Sequence, residues 1–239
     1  MKSPVPTTPP KPTSVNSWSY SRLADYETCP YRIKLKVIDK IPEPPRDPET
    51  DPLARGDRIH KALEDAVRDG AEVPPEVKKH ADLVRLLHSM HQDGMVRIEE
   101  PWNFDSSWQR TKEWEKIWLR VKLDVAVVAK DTVVVIDYKT GKSFMKDIPH
   151  TQQTQLYAGT AALLFPQAKT IITEIWYTDE GGTRRIDYKR DVALDFLPRF
   201  ERRANVMLND RIFRPRPNVV NCKWCPYSPR GNGACPFGV

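Results

Sequence analysis

The chain has 239 residues, 39% of them hydrophobic, with a formal net charge of +6 and a pI near 9.1. That apolar share supports a core, so global disorder is excluded despite a mean hydropathy of -0.60. No apolar run is long enough to span a bilayer, so the positive charge suits a nucleic-acid partner better than a membrane, although mild basicity is common among soluble proteins.

Residues 1–16, rich in Pro, Thr and Ser, read as a flexible tail with no apolar leader, so a cytoplasmic location is expected. From Ser17 the pattern changes: Trp18, Leu23, Tyr26 and Ile33 predict a helical stretch running past Cys29-Pro30. Residues 41–52 are a Pro-rich connection. Helices are expected over 53–68, where Ile59, Leu63 and Val67 recur at helical spacing, and over 76–91. Strands follow: one over 95–104, then 116–129, where Ile117, Leu119, Val121, Leu123, Val125 and Val127 alternate. A tight turn at Lys130-Asp131 leads into a β-branched run over 132–138, which completes a hairpin. Next come a helix over 151–165, strands near 170–178 and 183–189 joined at Gly181-Gly182, and a last helix over 192–209. The tail, 213–239, rich in Pro, Cys and Gly, needs a cross-link to hold a shape.

The hairpin carries charges in unusual places. Asp124 interrupts an apolar strand, and Asp137 ends another with Lys139 two residues on, so Asp137 and Lys139 share a face. Pairing the strands brings the two carboxylates together, and a divalent cation removes their repulsion. Mg²⁺ or Mn²⁺ suits such ligands and bridges to phosphate oxygens, while Lys139 stabilises developing charge. Read alone, Asp-x-Lys is a common triplet and more often an ordinary strand-end ion pair facing solvent. His60, on the helix before the sheet, is either a further ligand or a structural imidazole. Gln153 and Tyr157 share one face of the helix after the hairpin. They are suited to bond the lysine, a phosphate or a base, or to form a polar packing edge.

The order Gly-x-x-x-His at Gly56–His60, then Asp124, then Asp137-x-Lys139, then Gln153-x-x-x-Tyr157, resembles the PD-(D/E)XK nuclease superfamily. It is most similar to the RecB-like branch, with CRISPR-associated RecB-like exonucleases, helicase–nuclease domains and phage exonucleases. Ser19-Tyr20-Ser21-Arg22-Leu23 through Tyr26-Glu27-Thr28-Cys29-Pro30 resembles that branch's N-terminal segment, and Leu123 stands where its motif carries proline. The resemblance implies an α/β restriction-endonuclease-like core, a central mixed β-sheet flanked by helices, as one nuclease domain over 17–239. It implies metal ligation by His60, Asp124, Asp137 and the Tyr138 carbonyl, catalysis by Asp124, Asp137 and Lys139, and an extra motif at Gln153 and Tyr157. The setting would be a bacterial or phage-infected cell.

The four cysteines, Cys29, Cys222, Cys225 and Cys235, suit metal better than disulfides in the cytosol. Four cysteine ligands suit structural zinc or an iron–sulfur cluster, and spacing alone leans to zinc as the commoner occupant. The resemblance implies [4Fe–4S], joining the N- and C-terminal segments, 17–52 and 210–239. Between Arg184 and Arg216 ten basic residues meet five acidic ones, a run suited to phosphates or simply to solvent. Arg22, Arg55 and Lys142 are candidate phosphate contacts, and Trp18, Tyr20 or Trp224 candidate base-stacking platforms. With no helicase P-loop in the sequence, unwinding would fall to a helicase or recombination partner. The expected activity is an exonuclease acting on DNA ends, single-stranded ones included, in repair, recombination or phage replication. The alternatives are a structure-specific or restriction-like endonuclease and a non-catalytic iron–sulfur DNA-binding module. The oligomeric state stays open, since a ring and a monomer both fit.

Overall fold

The computed structural model describes residues 13–141 and 147–239; Lys142 and residues 1–12 of the expected tail lie outside the described residues. In chain order the first elements are α1 (Tyr20–Thr28), α2 (Pro30–Ile33), a π-helical turn Lys34–Ile38, α3 (Pro52–Asp69) and α4 (Ala81–Gln92). The strands β1 (Val96–Ile98), β2 (Pro101–Phe104), β3 (Leu119–Lys122), β4 (Val125–Val128) and β5 (Thr132–Lys139) come next. They are followed by α5 (Asp147–Leu164), β6 (Thr170–Tyr177), β7 (Gly182–Lys189), α6 (Arg190–Leu194), α7 (Leu197–Asn209) and α8 (Val219–Lys223). Two compact units result, one reaching up to Pro45 and resuming at Arg203, the other spanning Arg46–Arg202.

The Arg46–Arg202 unit is built on a five-stranded sheet in the order β1-β4-β5-β6-β7. Only β5 and β6 run parallel, and α5 supplies the crossover that a parallel pair requires. β5 is central, and Val133, Val135, Ile136, Asp137 and Tyr138 are all buried, so its side chains alternate without a polar face. α3 starts where Asp51 accepts from the amides of Leu53 (2.7 Å) and Ala54 (3.2 Å), and ends on Gly70 at φ 71°. Its Ile59, Leu63, Ala66 and Val67 form a core with Val84 and Leu87 of α4 and with Val125, Val127, Ile136 and Tyr138 of the sheet. A separate two-stranded sheet pairs β2 with β3 and buries Trp102, Phe104, Leu119 and Val121. This is the α/β architecture, a mixed sheet flanked by helices, that the sequence leads one to expect.

Four expected elements are divided. The strand over 95–104 breaks at Glu99–Glu100, and that over 116–129 at Leu123–Asp124. The helix over 76–91 opens with a 3₁₀ stretch, Pro75–His80, and the last helix breaks between Leu194 and Leu197. The strand breaks are where the site forms.

In the other unit, Trp18, Leu23, Tyr26, Ile33, Phe213 and Tyr227 form the core. Trp18 is wholly buried there, which rules out stacking on a base. Its terminal segments are laced by polar bonds: Tyr26 donates to Asp210 (2.8 Å), Arg203 grips Glu27 through two bonds of 2.7 Å, and Tyr227 donates to the Ile41 carbonyl (3.1 Å). Asn232 adds a bond to the Pro42 carbonyl at 2.8 Å. The Pro- and Gly-rich tail is thus held by side-chain bonds to backbone as well as by its apolar anchors.

Candidate metal centre

The site begins at a bend shared by two strands. β1 with β4 and β2 with β3 keep one antiparallel register, Ile98 opposite Val125 and Pro101 opposite Lys122. Glu99 therefore stands opposite Asp124, at the level where the chain passes from one sheet to the other. Glu99 adopts φ 52°, in the left-handed region uncommon for residues other than glycine, and its amide donates to the Asp124 carbonyl at 3.0 Å. On the other side, Val125 pairs with Ile136, so one residue further Asp124 comes level with Asp137. The Asp124 carboxylate accepts from the Tyr138 amide at 2.6 Å, filling a place that a strand carbonyl would otherwise take. The continuous strand expected over 116–129 gives way to that bond.

His60 reaches Asp124 from α3, with Nδ1 3.1 Å from Oδ1. One turn earlier, a Cβ on Gly56 would meet the Thr140 hydroxyl at 3.2 Å, so glycine allows the helix its close approach. Asp137 is 4% exposed and ion-paired with Lys139. Burial raises the Asp137 carboxyl above its ordinary pKa; Lys139 opposes this and the Asp124 charge adds to it. For His60, burial disfavours the imidazolium, yet the hydrogen bond and charge of Asp124, helped by Asp137, outweigh it, and its pKa is raised. Among the described residues, one imidazole nitrogen and two carboxylate oxygens, from His60, Glu99 and Asp124, lie within 4.8 Å of one another. Oxygen with imidazole suits Mg²⁺ or Mn²⁺, so the donor chemistry fits a divalent cation.

These shifts give a pH dependence. Ligands bind a cation deprotonated, and a raised pKa prolongs competition from protons. Mn²⁺ affinity should therefore climb as pH rises from below 6.5, the ordinary imidazole value, through the raised pKa of His60. Calorimetric titration across that range checks it, and a flat profile contradicts it. Melting temperature is a poorer readout, because burial lowers the pKa of His80, which makes that group's stability contribution grow with pH while that of His60 is lost.

Gln153 and Tyr157 lie together on α5: the amide donates to the phenol oxygen at 2.6 Å, and the phenol donates to the Lys122 carbonyl at 3.3 Å. They brace the end of β3, two residues before Asp124. Arg55 forms two bonds to Asp179, at 3.1 and 2.9 Å, and Asp179 also accepts from the Gly141 amide at 2.9 Å, fixing the start of the turn after β5. Arg22 donates to the Ser17 carbonyl at 2.6 Å. The basic run 184–216 is shared between both units, and Arg185 and Arg203 have carboxylate partners of their own. Glu99 was not among the residues expected from sequence; the Glu99-Glu100-Pro101 run inside an apolar strand was its only signal.

The cysteines belong to the unit that joins the two chain termini. Cys29 ends α1, and its sulfur accepts from the Arg216 amide at 3.4 Å. Cys222 lies in α8, the Cys225 amide donates to the Cys222 carbonyl at 3.2 Å, and the Cys235 amide to the Tyr227 carbonyl at 2.8 Å. Burial raises the Cys225 thiol, and a charge on Cys235 would add to it. All four thiols lie in that one unit, and Cys225 and Cys235 are near enough to interact electrostatically.

A search of curated proteins returned no match. Among solved structures the chain is similar to one titled "Crystal structure of SSO0001", with 17% identity, 94% of this chain and 88% of that chain covered, and a TM-score of 0.45. That likeness is too distant to carry an argument. The family model described as the PD-(D/E)XK nuclease superfamily matches residues 17–230, a span holding His60, Asp124, Asp137 and Lys139 in their observed arrangement. The chain belongs to the PD-(D/E)XK nuclease superfamily.

Proposed function

We propose that the chain is a RecB-like exonuclease that hydrolyses DNA from its ends with Mg²⁺ or Mn²⁺, and that a four-cysteine [4Fe–4S] cluster supports its fold. The superfamily is one of metal-dependent nucleases and implies a DNA substrate. The observation that carries the reading is the meeting of Asp124, His60 and the Asp137–Lys139 pair at one strand end. His60, Asp124, Asp137 and the Tyr138 carbonyl would hold the cation, which when bound would supply Lewis-acid polarisation of the phosphodiester and a lowered pKa for a water. The chain does the rest. The Tyr138 amide fixes the Asp124 carboxylate. Asp137 holds the Lys139 ammonium beside the reacting phosphate, where it orients a water and offsets charge on the phosphate oxygens. Gln153 and Tyr157 act through the β3 end they brace, as positioning residues.

Two features support ends with unpaired bases. Trp224 is 80% exposed, with the Lys223 ammonium 5.1 Å from its ring. From Arg203 to Val239 six basic residues meet one acidic residue. An exposed indole among cations is a stacking platform beside a phosphate track. For the cysteines, it is the resemblance to iron–sulfur nucleases of the RecB-like branch, with one distant thiol before three C-terminal ones, that favours the cluster over zinc.

End-labelled linear DNA and a covalently closed circle, each incubated with Mn²⁺, separate the readings. The exonuclease degrades the linear substrate and spares the circle. Nicking or linearisation of the circle would instead establish an endonuclease.

A further inference from the structure

The two-stranded sheet grows straight out of the site. β2 begins just after Glu99 and β3 ends just before Asp124, all within the Arg46–Arg202 unit. Its two faces differ. Trp102, Phe104, Leu119 and Val121 are buried, so alternation turns Arg120 and Lys122 to the opposite face, with Asn103 across from Arg120. Lys122 shows where that face leads: it is ion-paired with Glu99, one of whose oxygens lies within 4.8 Å of ligand atoms of His60 and Asp124. From Arg120 to Asp124 the chain spans at most about 14 Å, the length of about four stacked nucleotides.

At the Arg120 end stands Trp114, 66% exposed. The Arg120 guanidinium carbon lies 4.1 Å from the centre of the indole, over one face, which leaves the other face to solvent. The neighbouring tryptophans are taken up by packing: Trp102 is buried, and Trp108 and Trp118 meet edge to face with ring centres 5.1 Å apart. Trp114 is also held in place. It opens a 3₁₀ turn, Trp114–Lys116, in which the amide of buried Ile117 donates to the Trp114 carbonyl at 3.3 Å. Among the described residues Arg120 pairs with no carboxylate, and its Nε is buried without a hydrogen bond. A cation under one face of an exposed ring, with no anion of its own, suits a ligand that brings both a flat base and a phosphate.

We propose that Trp114, backed by Arg120, is a stacking platform for one unpaired nucleobase of the substrate strand, within about four nucleotides of the bond to be cut. The inference rests on the nuclease reading and adds to it a specificity-determining residue. It lies in the catalytic unit itself, whereas Trp224 belongs to the other unit. A single strand offers a free base face to the indole. In a duplex both faces of each base are already stacked, so the platform favours single-stranded ends.

The test is cleavage of a short, end-labelled oligothymidylate by the full chain in Mn²⁺. Trp114→Ala should raise KM by about 5- to 100-fold, the effect of losing one stacked base, and leave kcat unchanged. Trp114→Phe, which keeps an aromatic face, should recover most of that loss. An abasic nucleotide is then moved along the oligonucleotide one position at a time. In the wild type it should raise KM at one position within about four nucleotides of the cut bond, and at that position Trp114→Ala should show no penalty. Unchanged KM in Trp114→Ala, or an abasic penalty that persists in it, overturns the proposal and leaves the nuclease reading standing. A wild type that binds the oligonucleotide without cutting it sinks the nuclease reading instead. Fluorescence anisotropy then decides the platform: Trp114→Ala should bind the strand more weakly by the same factor, and equal affinity overturns it.

Discussion

Lys139→Ala should lower the rate of DNA cleavage by about 10²- to 10³-fold, the usual effect of removing one group that stabilises a developing oxyanion. The loss should fall on kcat. Lys139 is ion-paired with Asp137, and its removal takes a competing ammonium from a carboxylate proposed to hold the metal. Mn²⁺ affinity should accordingly hold or rise while catalysis collapses. Asp137→Asn should cost more, because it takes away a ligand charge and the anchor of Lys139 together. Single-turnover cleavage at saturating Mn²⁺, set beside a direct Mn²⁺ titration, separates the two roles. Lys139→Ala with normal kcat would remove the lysine from the mechanism.

The second large effect is expected far along the sequence. Cys29→Ser and Cys235→Ser should each abolish the broad visible absorption of an iron–sulfur protein and destabilise the unit that joins the chain termini. Structural metal ligation in small units contributes on the order of 10 kcal/mol to folding, comparable with the whole stability of a domain, about 5–15 kcal/mol. Beside any metal, that unit has its small apolar core and a set of polar bonds. Its polar laces at Glu27, Ile41 and Pro42 are individually modest, about 1 kcal/mol each, or somewhat more for the charged Glu27 pair. Anaerobic purification with iron and zinc analysis checks the point. A colourless protein with stoichiometric zinc would overturn the cluster, and full retention of iron in Cys29→Ser would overturn the ligand assignment.

The parts of the site legible in the sequence are those written locally. Asp137-x-Lys139 stands out because a β-branched run ends on charges, and two-residue periodicity alone places both on one face. His60 could be placed on a helix because Ile59, Leu63 and Val67 recur beside it. Asp124 was recognised but put inside a strand. Its carboxylate takes the Tyr138 amide, a tertiary contact that alternation of apolar residues cannot report. Glu99 escaped for the same reason. Its nearness to Asp124 follows from strand register and a left-handed backbone, neither of which is visible in Ile98-Glu99-Glu100-Pro101. Gln153 and Tyr157 could be placed on one helix face by their spacing of four, and the described bonds join them to each other and to the β3 end. The cysteines were legible as a set, three of them in a Pro- and Gly-rich tail, whereas the part that Tyr227 and Asn232 play in holding that tail was not. The spacing of the cysteines does not say which metal they hold.

Metal-dependent hydrolysis at Asp124, Asp137 and Lys139 is tested directly by one comparison. Labelled linear DNA is incubated with the purified chain in Mn²⁺, in Mn²⁺ with excess chelator, and with Asp137→Asn in Mn²⁺. Cleavage should occur in the first mixture and be absent or nearly so in the other two, with Asp137→Asn still folded by circular dichroism. A wild type that binds the DNA and leaves it intact, or an Asp137→Asn chain that cuts it at the wild-type rate, would contradict the account.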